Sequence, residues 1–412
     1  MYCKYKFLYL QKIYKMIPED IIIQVIEDQE KSYQKKRIIA RDKKINPGTN
    51  RVIVVTGVRR SGKSTFLKQI NVNNEALFIN FEDNRLESFE ISDFNKVELI
   101  AQKKEKQLIV LDEAQNIPGW EKYVRSANDR GVKLQITGSN ASMLSRELGP
   151  HLTGRYQQIE LFPFSFKEFL MFTEQSQDLN SFDNFIEMGG FPEYLAEKDR
   201  EYLRTLLRGI VIRDIAVRRG IKNENFLIRL AVHILSNIGK EFSYNNITKT
   251  LEIRSVRTTI DYCDYLQESY LIELIPRFSY SIHQQLANPK KAYCIDTAMA
   301  SANSLSFGKD KGRMPENAVF IELRRQFNDI CYYNNGRSEC DFLVKEAGEV
   351  IQAVQVCLKI NPDNIVREIK GIKEAMEETK CTKGTIITLD QEDILDGIPL
   401  VPAWKWMCRE YA

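Results

Sequence analysis

The sequence predicts a multidomain α/β protein whose first half is a parallel sheet. Three observations carry that expectation. Its 412 residues exceed what one hydrophobic core organises, so roughly two to four domains are expected. Short apolar runs alternate with helical patterns up to about residue 170, as in a parallel sheet covered on both faces. A glycine-rich loop joins the first such run to the first such helix. The chain is 43% hydrophobic and 28% charged, as ordinary soluble globular proteins are, which excludes collagen-like and wholly disordered readings. No stretch approaches the ~20 apolar residues of a spanning helix, so no membrane association is expected.

Residues 1–15 hold four lysines and no acid. Their apolar run, Phe7 to Leu10, is too short for a signal peptide, so a basic arm is expected, with the working chain starting near Met16. A helix is expected from Pro18, and residues 1–45 form an N-terminal arm and helix. A basic linker, Lys43 to Asn50, carries an Asn-Pro-Gly turn. Buried strands are then expected at Val52–Thr56, Ala76–Phe81, Leu108–Leu111, Leu134–Thr137 and Gln157–Leu161. Helices at Ser64–Ile70, Val97–Lys104 and Trp120–Arg130 fall between them, giving a domain over 46–172. Residues 173–230 read as mostly helical. Residues 231–300 run helix, helix, helix and hairpin, the order of a winged helix, with the last helix at Ser255–Ser269. Residues 301–412 read as a small α/β domain with a mixed sheet, built on helix 316–327, strands 330–334, 340–345 and 352–357, helix 362–378 and strand 384–389.

Charge and cysteine usage bound the partners. Lys plus Arg is 59 and Asp plus Glu is 56, a near-balance that gives no global sign of a nucleic-acid partner. The N-terminal arm supplies the whole basic excess. None of the eight cysteines forms a C-x-x-C pair and the three histidines stand far apart, so no zinc site is expected. With no signal peptide the thiols are expected reduced and the protein cytoplasmic.

The strongest chemical signal runs from Gly57 to Thr65, which matches G-x-x-x-x-G-K-[ST] in full between a strand and a helix. The glycines Gly57 and Gly62 let successive backbone N–H groups face a phosphate chain, and the helix N-terminus adds a favourable dipole. Lys63 is expected on the β- and γ-phosphates, Ser64 on Mg²⁺ and Thr65 near the α-phosphate. Ser61 lies in the loop. Arg59 and Arg60 could contact phosphate or a neighbouring subunit, or be solvated.

The run Leu108 to Glu113 supplies a second half-site. An apolar strand delivers Asp112 beside the loop to hold Mg²⁺ through water, and Glu113 to orient the attacking water. A fourth strand ends in Thr137, Gly138, Ser139 and Asn140. In a parallel sheet that end faces the nucleotide, so Thr137, Ser139 or Asn140 could sense a γ-phosphate. Arg155 could stabilise charge in transfer, in cis or across a subunit boundary, or sit in a fixed salt bridge.

Together these words resemble the AAA+ ATPase superfamily: GVRRSGKST at 57–65, DEAQ at 112–115, TGSN at 137–140 and LTGRY at 152–156. Further words are similar to a large prokaryotic group of ATPases that pair this domain with a C-terminal domain of unknown function. They are LFPFSFKEF at 161–169, GGFPEY at 189–194, RDI at 213–215 and ECDF at 339–342. The resemblance implies a core sheet in the order 5-1-4-3-2, a helical lid, a winged helix and a restriction-endonuclease-like tail. In such tails a helix acid, a strand Asp and a Glu-x-Lys bind metal and cut phosphodiesters. Here Glu316 or Glu322 could be the helix acid and Asp341 the strand acid, but Gln355 and Cys357 replace the Glu and Lys. An amide is a poor Mg²⁺ ligand and a thiol supplies no cation, so a non-cutting tail is expected.

Arg254, Arg257, Thr258 and Thr259, which flank or sit early on the Ser255–Ser269 helix, and the basic stretch 204–222 are the candidate DNA contacts. The reading is a Mg²⁺-dependent ATPase whose turnover drives conformational or assembly change, acting on DNA or a protein partner, and able to form a homo-oligomeric ring. ATP is favoured over GTP because no guanine-reading word follows strand four. The alternatives are an ATP-gated nuclease and a nucleotide-controlled signalling scaffold with little turnover.

Overall fold

The computed structural model describes residues 17–33, 38–43, 45, 51–71, 75–140, 148–149, 152, 154–305 and 312–409. The expected basic arm, most of the 43–50 linker and Thr153 lie outside the described residues. The chain divides into two compact units. The first holds Met1–Gly57 and Gly62–Leu161; the second holds Val58–Ser61 and Phe162–Ala412.

The first unit is built on five parallel strands, β1 (Val52–Thr56), β2 (Ala76–Asn80), β3 (Leu108–Asp112), β4 (Lys133–Gly138) and β5 (Tyr156–Glu160). Their order, β2-β3-β4-β1-β5, is the expected one. Alternation assigns side chains to two faces. Val52, Val54, Leu77, Ile79, Ile109 and Leu111 join one buried cluster, and Ile53, Val55, Val110 and Ile159 join another. Both faces are therefore apolar, and the strands read as continuous apolar runs.

Helices supply the covers. Helix α1 (Glu19–Tyr33) buries Ile22, Val25 and Ile26 in the first cluster and lies on β2. Its first turn holds Glu19 and Asp20 and its last turn Lys31, each matching the helix dipole. Helix α3 (Phe94–Lys103) and helix α4 (Trp120–Asp129) pack into the same cluster. Phe94 stacks on Tyr123 at 4.0 Å between ring centroids. Helix α2 (Lys63–Ile70) covers the other face through Phe66 and Leu67.

The second unit opens with helices α5 (Phe166–Thr173), α6 (Leu179–Met188), α7 (Pro192–Glu197) and α8 (Arg200–Gly209). Local chemistry starts them: Ser165 and Glu168 form a capping box on α5, and Asp178 caps α6. The π-helical segment Ile210–Val217 follows α8. Three more helices, α9 (Glu224–Leu235), α10 (Tyr244–Thr250) and α11 (Val256–Glu268), accompany a three-stranded antiparallel sheet whose first strand lies between α9 and α10. Its order is β6-β8-β7, from β6 (Glu241–Phe242), β7 (Ile272–Pro276) and β8 (Lys290–Cys294). A short helix, α12 (Ile282–Ala287), stands between β7 and β8 where the sequence suggested a plain hairpin.

Helices α13 (Thr297–Asn303) and α14 (Arg313–Arg324) lead into a six-stranded mixed sheet. Its order is β13-β14-β12-β11-β10-β9, from β9 (Asp329–Asn334), β10 (Glu339–Glu346), β11 (Glu349–Val356), β12 (Gly384–Thr388), β13 (Asp393–Leu395) and β14 (Ile398–Pro402). Helix α15 (Ile365–Thr379) covers it with Ile372 and Ala375, and α16 (Ala403–Trp406) ends the chain's regular structure. The mixed sheet matches the expectation, but β13 and β14 are additions to it. Among the described residues no helix is long and apolar enough to cross a membrane, and the described cysteines are free.

Candidate functional site

In the first unit, parallel pairing brings the C-terminal ends of β1, β3 and β4 side by side, and each end carries chemistry. Thr56 pairs with Gly138, Leu111 with Ile136, and Asn80 of β2 with Asp112. The loop leaves β1 at Gly57 and re-enters helix at Lys63. Gly62 caps that helix with φ +95°, a left-handed conformation that a side chain would strain.

Lys63 is only 4% exposed, so its ammonium needs partners. Its Nζ donates to the Gly57 carbonyl at 3.0 Å and to Ser139 Oγ at 3.0 Å. It lies 3.8 Å from Glu113 Oε1. Ser139 in turn donates to the same Glu113 oxygen at 2.7 Å. The three groups form a closed triangle. Gln115 donates to the other Glu113 oxygen. Glu113 itself has φ +54°, a backbone conformation rare for a side-chain-bearing residue.

Asp112 is buried, and its pKa is pushed up to about 6, first by burial and then by the Glu113 charge. Hydrogen bonds from Thr137 and Ser64 oppose that rise. Asn80 Nδ2 donates to Asp112 Oδ2 at 2.9 Å, and Thr137 Oγ1 donates to Oδ1. Thr137 also accepts from the Glu113 amide at 3.0 Å. So Thr137 holds the acidic pair, while Ser139 touches both Lys63 and Glu113. Asn140 is buried at the same strand end. Ser64 and Asp112 together offer a hydroxyl and a carboxylate, hard oxygen donors of the kind Mg²⁺ takes.

The remaining loop residues belong to the second unit. There Arg59 Nη1 lies 3.4 Å from Asp214 Oδ1, and Arg60 Nη1 lies 3.0 Å from Glu193 Oε1. The other Glu193 oxygen accepts from Tyr202 at 2.8 Å. Ser61 is buried, and its amide donates to Val58 O at 3.2 Å. Arg155 is not brought to the loop. It precedes β5, whose Tyr156 pairs with Val52, at the opposite end of β1 from Gly57. Its guanidinium is 62% exposed and paired with Asp129.

The tail acids gather around a cation that the sequence reading overlooked. Lys291 of β8 is 4% exposed. Its Nζ lies 2.5 Å from Glu339, 3.5 Å from Asp341 and 3.9 Å from Glu316. Tyr293 donates to Glu316 at 2.6 Å. Of the two helix acids, Glu316 is the one beside Asp341; Glu322 pairs with Arg325 at 3.3 Å. Asp341 Oδ2 accepts from the Val356 amide at 2.9 Å. Gln355 accepts from the Asp341 amide and donates to Glu368 at 2.7 Å. Among the described residues no His, Cys, Asp and Glu cluster is arranged to hold a metal ion. Burial and the Asp341 charge hold the Glu316 carboxyl above its ordinary range, against the pull of Lys291.

Several candidate DNA contacts are engaged within the second unit. Arg257 pairs with Asp261 at 3.1 Å, Thr259 is fully buried, and Thr258 bonds Ser255 at 2.9 Å. Arg219 pairs with Glu268 and stacks over Tyr265 at 4.6 Å.

Comparison with known proteins gives this geometry a family. Residues 49–170 match the family described as an AAA domain, and residues 179–310 match a domain of unknown function. An uncharacterised protein of the archaeon Methanocaldococcus jannaschii is 34% identical over 96% of this chain and 97% of its own. An uncharacterised protein of Haemophilus influenzae is 30% identical over 88% of this chain and 95% of its own. A solved structure of katanin, described in terms of its self-assembly, matches 53% of this chain and 71% of its own at 16% identity, with a TM-score of 0.22. An overlap that low supports no conclusion about this chain. The two full-length matches do: the chain belongs to the family of these archaeal and bacterial proteins, AAA-type and nucleotide-binding in its first part, with a domain of unknown function behind it.

Proposed function

We propose that the chain binds ATP with Mg²⁺ at the β1, β3 and β4 strand ends and hydrolyses it. The observation that carries this is the triangle of Lys63, Ser139 and Glu113 beside a buried Asp112, next to a complete phosphate loop. Loop amides and the α2 N-terminus take the phosphates. Lys63 leaves its intramolecular partners for the β- and γ-phosphate oxygens. Ser64 would hold Mg²⁺ directly and Asp112 through water, and the ion would neutralise charge on the transferring phosphoryl group. Glu113, released from Lys63, orients the attacking water and accepts its proton. Ser139 reports the γ-phosphate by exchanging its bond to Lys63 or Glu113. Asn140, Thr65, Ser61, Arg59 and Arg60 line or flank the phosphate path. A role for Arg155 in transfer requires a second chain, because its own loop lies at the other strand end.

The test is ATP turnover with Mg²⁺ and with EDTA. Lys63→Ala should abolish nucleotide binding. Glu113→Gln should retain binding and lose roughly 10²-fold or more in turnover. Turnover by Lys63→Ala at the wild-type rate would overturn the reading.

In the second unit we propose a helical lid over 173–230, a winged helix over 231–300 and a non-cutting tail over 301–412. The order helix α9, strand β6, helices α10 and α11, then strands β7 and β8 of the same antiparallel sheet supports the winged-helix reading. The tail reading rests on Lys291, an ammonium seated among the acids that a nuclease would give to metal. Nucleotide state then governs contact with DNA or a protein partner. DNA-stimulated turnover identifies the first; a Glu113→Gln pull-down in ATP that recovers a defined protein identifies the second.

A further inference from the structure

Asn80 ends the edge strand β2, and all four of its polar groups have partners. Its side-chain oxygen accepts from the Glu82 amide at 2.7 Å, and its Nδ2 donates to Asp112 at 2.9 Å. Its backbone would be open on the outer side, since β2 is the last strand of the sheet. One residue of α1 fills that side. Gln29 Oε1 accepts from the Asn80 amide at 2.8 Å, and Gln29 Nε2 donates to the Asn80 carbonyl at 3.1 Å. A single primary amide thus gives Asn80 both hydrogen bonds that a neighbouring strand would give.

We propose that Gln29 is a positioning residue for Asp112, acting through Asn80, and that it sets the divalent-cation affinity of the nucleotide site. This rests on the Mg²⁺–ATP reading above. With its amide and carbonyl clamped, Asn80 aims Nδ2 at one Asp112 oxygen while Thr137 holds the other. The carboxylate is then held in one orientation. Groups that orient a metal carboxylate affect metal affinity roughly 10- to 100-fold when removed. Without Gln29 the Asn80 backbone turns to water, the strand end loosens and the aim of Nδ2 is lost. The N-terminal helix is thereby part of the cation site, with Gln29 acting on Asp112 through Asn80.

The experiment measures Mn²⁺ affinity of the full chain by electron paramagnetic resonance at saturating ADP, and ADP affinity in EDTA by calorimetry. Gln29→Ala should weaken Mn²⁺ roughly tenfold and leave metal-free ADP binding unchanged. A merely structural role would lower both. Asn80→Ala should weaken Mn²⁺ similarly, and adding Gln29→Ala to it should cost nothing further, since the relay is already cut. Gln24→Ala, an exposed change on the same helix, should behave as wild type. Unchanged Mn²⁺ affinity in Gln29→Ala or in Asn80→Ala, or fully additive losses in the double variant, would overturn the proposal. If Gln29→Ala does not fold, Asn80→Ala alone decides. Failure of the wild-type chain to bind Mn²⁺ with ADP would instead remove the nucleotide-site reading beneath it.

Discussion

Replacing Thr137 with valine removes one hydroxyl from the centre of the acidic pair while keeping shape and strand preference. Thr137 is fully buried. Its Oγ1 donates to Asp112 and accepts from the Glu113 amide at 3.0 Å. The bond to a carboxylate is worth about 1.5–3 kcal/mol, and an orphaned buried amide costs about 1–3 kcal/mol. A valine methyl group recovers about 0.8 kcal/mol by burial. The balance is a loss of about 3 kcal/mol. Because Glu113 sits at a positive φ that the amide bond helps fix, turnover should also fall, by roughly 10-fold or more. Urea unfolding at pH 7.5 and steady-state ATP turnover read the two effects. A variant within 0.5 kcal/mol of wild type, with unchanged turnover, would refute the idea that this hydroxyl organises Asp112 and Glu113.

Two further outcomes concern the second unit. Asp296 accepts from the Gly190 amide at 2.6 Å and the Met299 amide at 2.8 Å, and a Cβ on Gly190 would strike the Phe164 carbonyl at 2.3 Å, so this turn tolerates only glycine. Burial pushes the Asp296 pKa up to about 6, with those amides opposing it. Its folded pKa therefore lies above the unfolded value, and stability present below about pH 4 is lost as pH rises through about 6, by about 3 kcal/mol. Asp296→Asn should remove that slope; parallel urea-midpoint shifts for both proteins between pH 4.5 and 7.5 would count against it. Lys291→Met leaves Glu316, Glu339 and Asp341 without their cation and should cost about 3 kcal/mol at pH 8. Because burial and the Asp341 charge push the Glu316 pKa up to about 8, the cost should grow from pH 7 to pH 9 as Glu316 ionises, and a pH-independent cost would sink that account.

Much of the first unit was legible because its strands are buried on both faces and read as apolar runs ended by small polar residues. The phosphate loop, Asp112 and Glu113 were legible for the same reason: each lies directly after such a run. Asn80 carries the same signal, a polar residue at the end of an apolar run, but the expected strand ran through it to Phe81 and gave it no role. The β13–β14 hairpin also had a signal, Asp396 and Gly397 at φ +52° and +81°, between strands too short to stand out. Lys291 had none, since its partners come from α14 and β10, and only tertiary packing makes it central. Arg155 was left between a transfer role and a fixed salt bridge; it precedes β5, and a salt bridge with Asp129 is what the fold forms.

The clamp on Asn80 has a second consequence, for solubility. An uncovered outer strand is a template for pairing with another chain, and β2 is apolar through Ala76, Leu77, Phe78 and Ile79. Helix α1 covers that strand, with Ile22, Val25 and Ile26 packed in the core beside it and the Gln29 amide closing its end. A shortened chain beginning after Tyr33 would expose an adhesive flank. Domain boundaries chosen from the phosphate loop alone would therefore give aggregates, and a fragment meant to report nucleotide chemistry has to start ahead of Ile17.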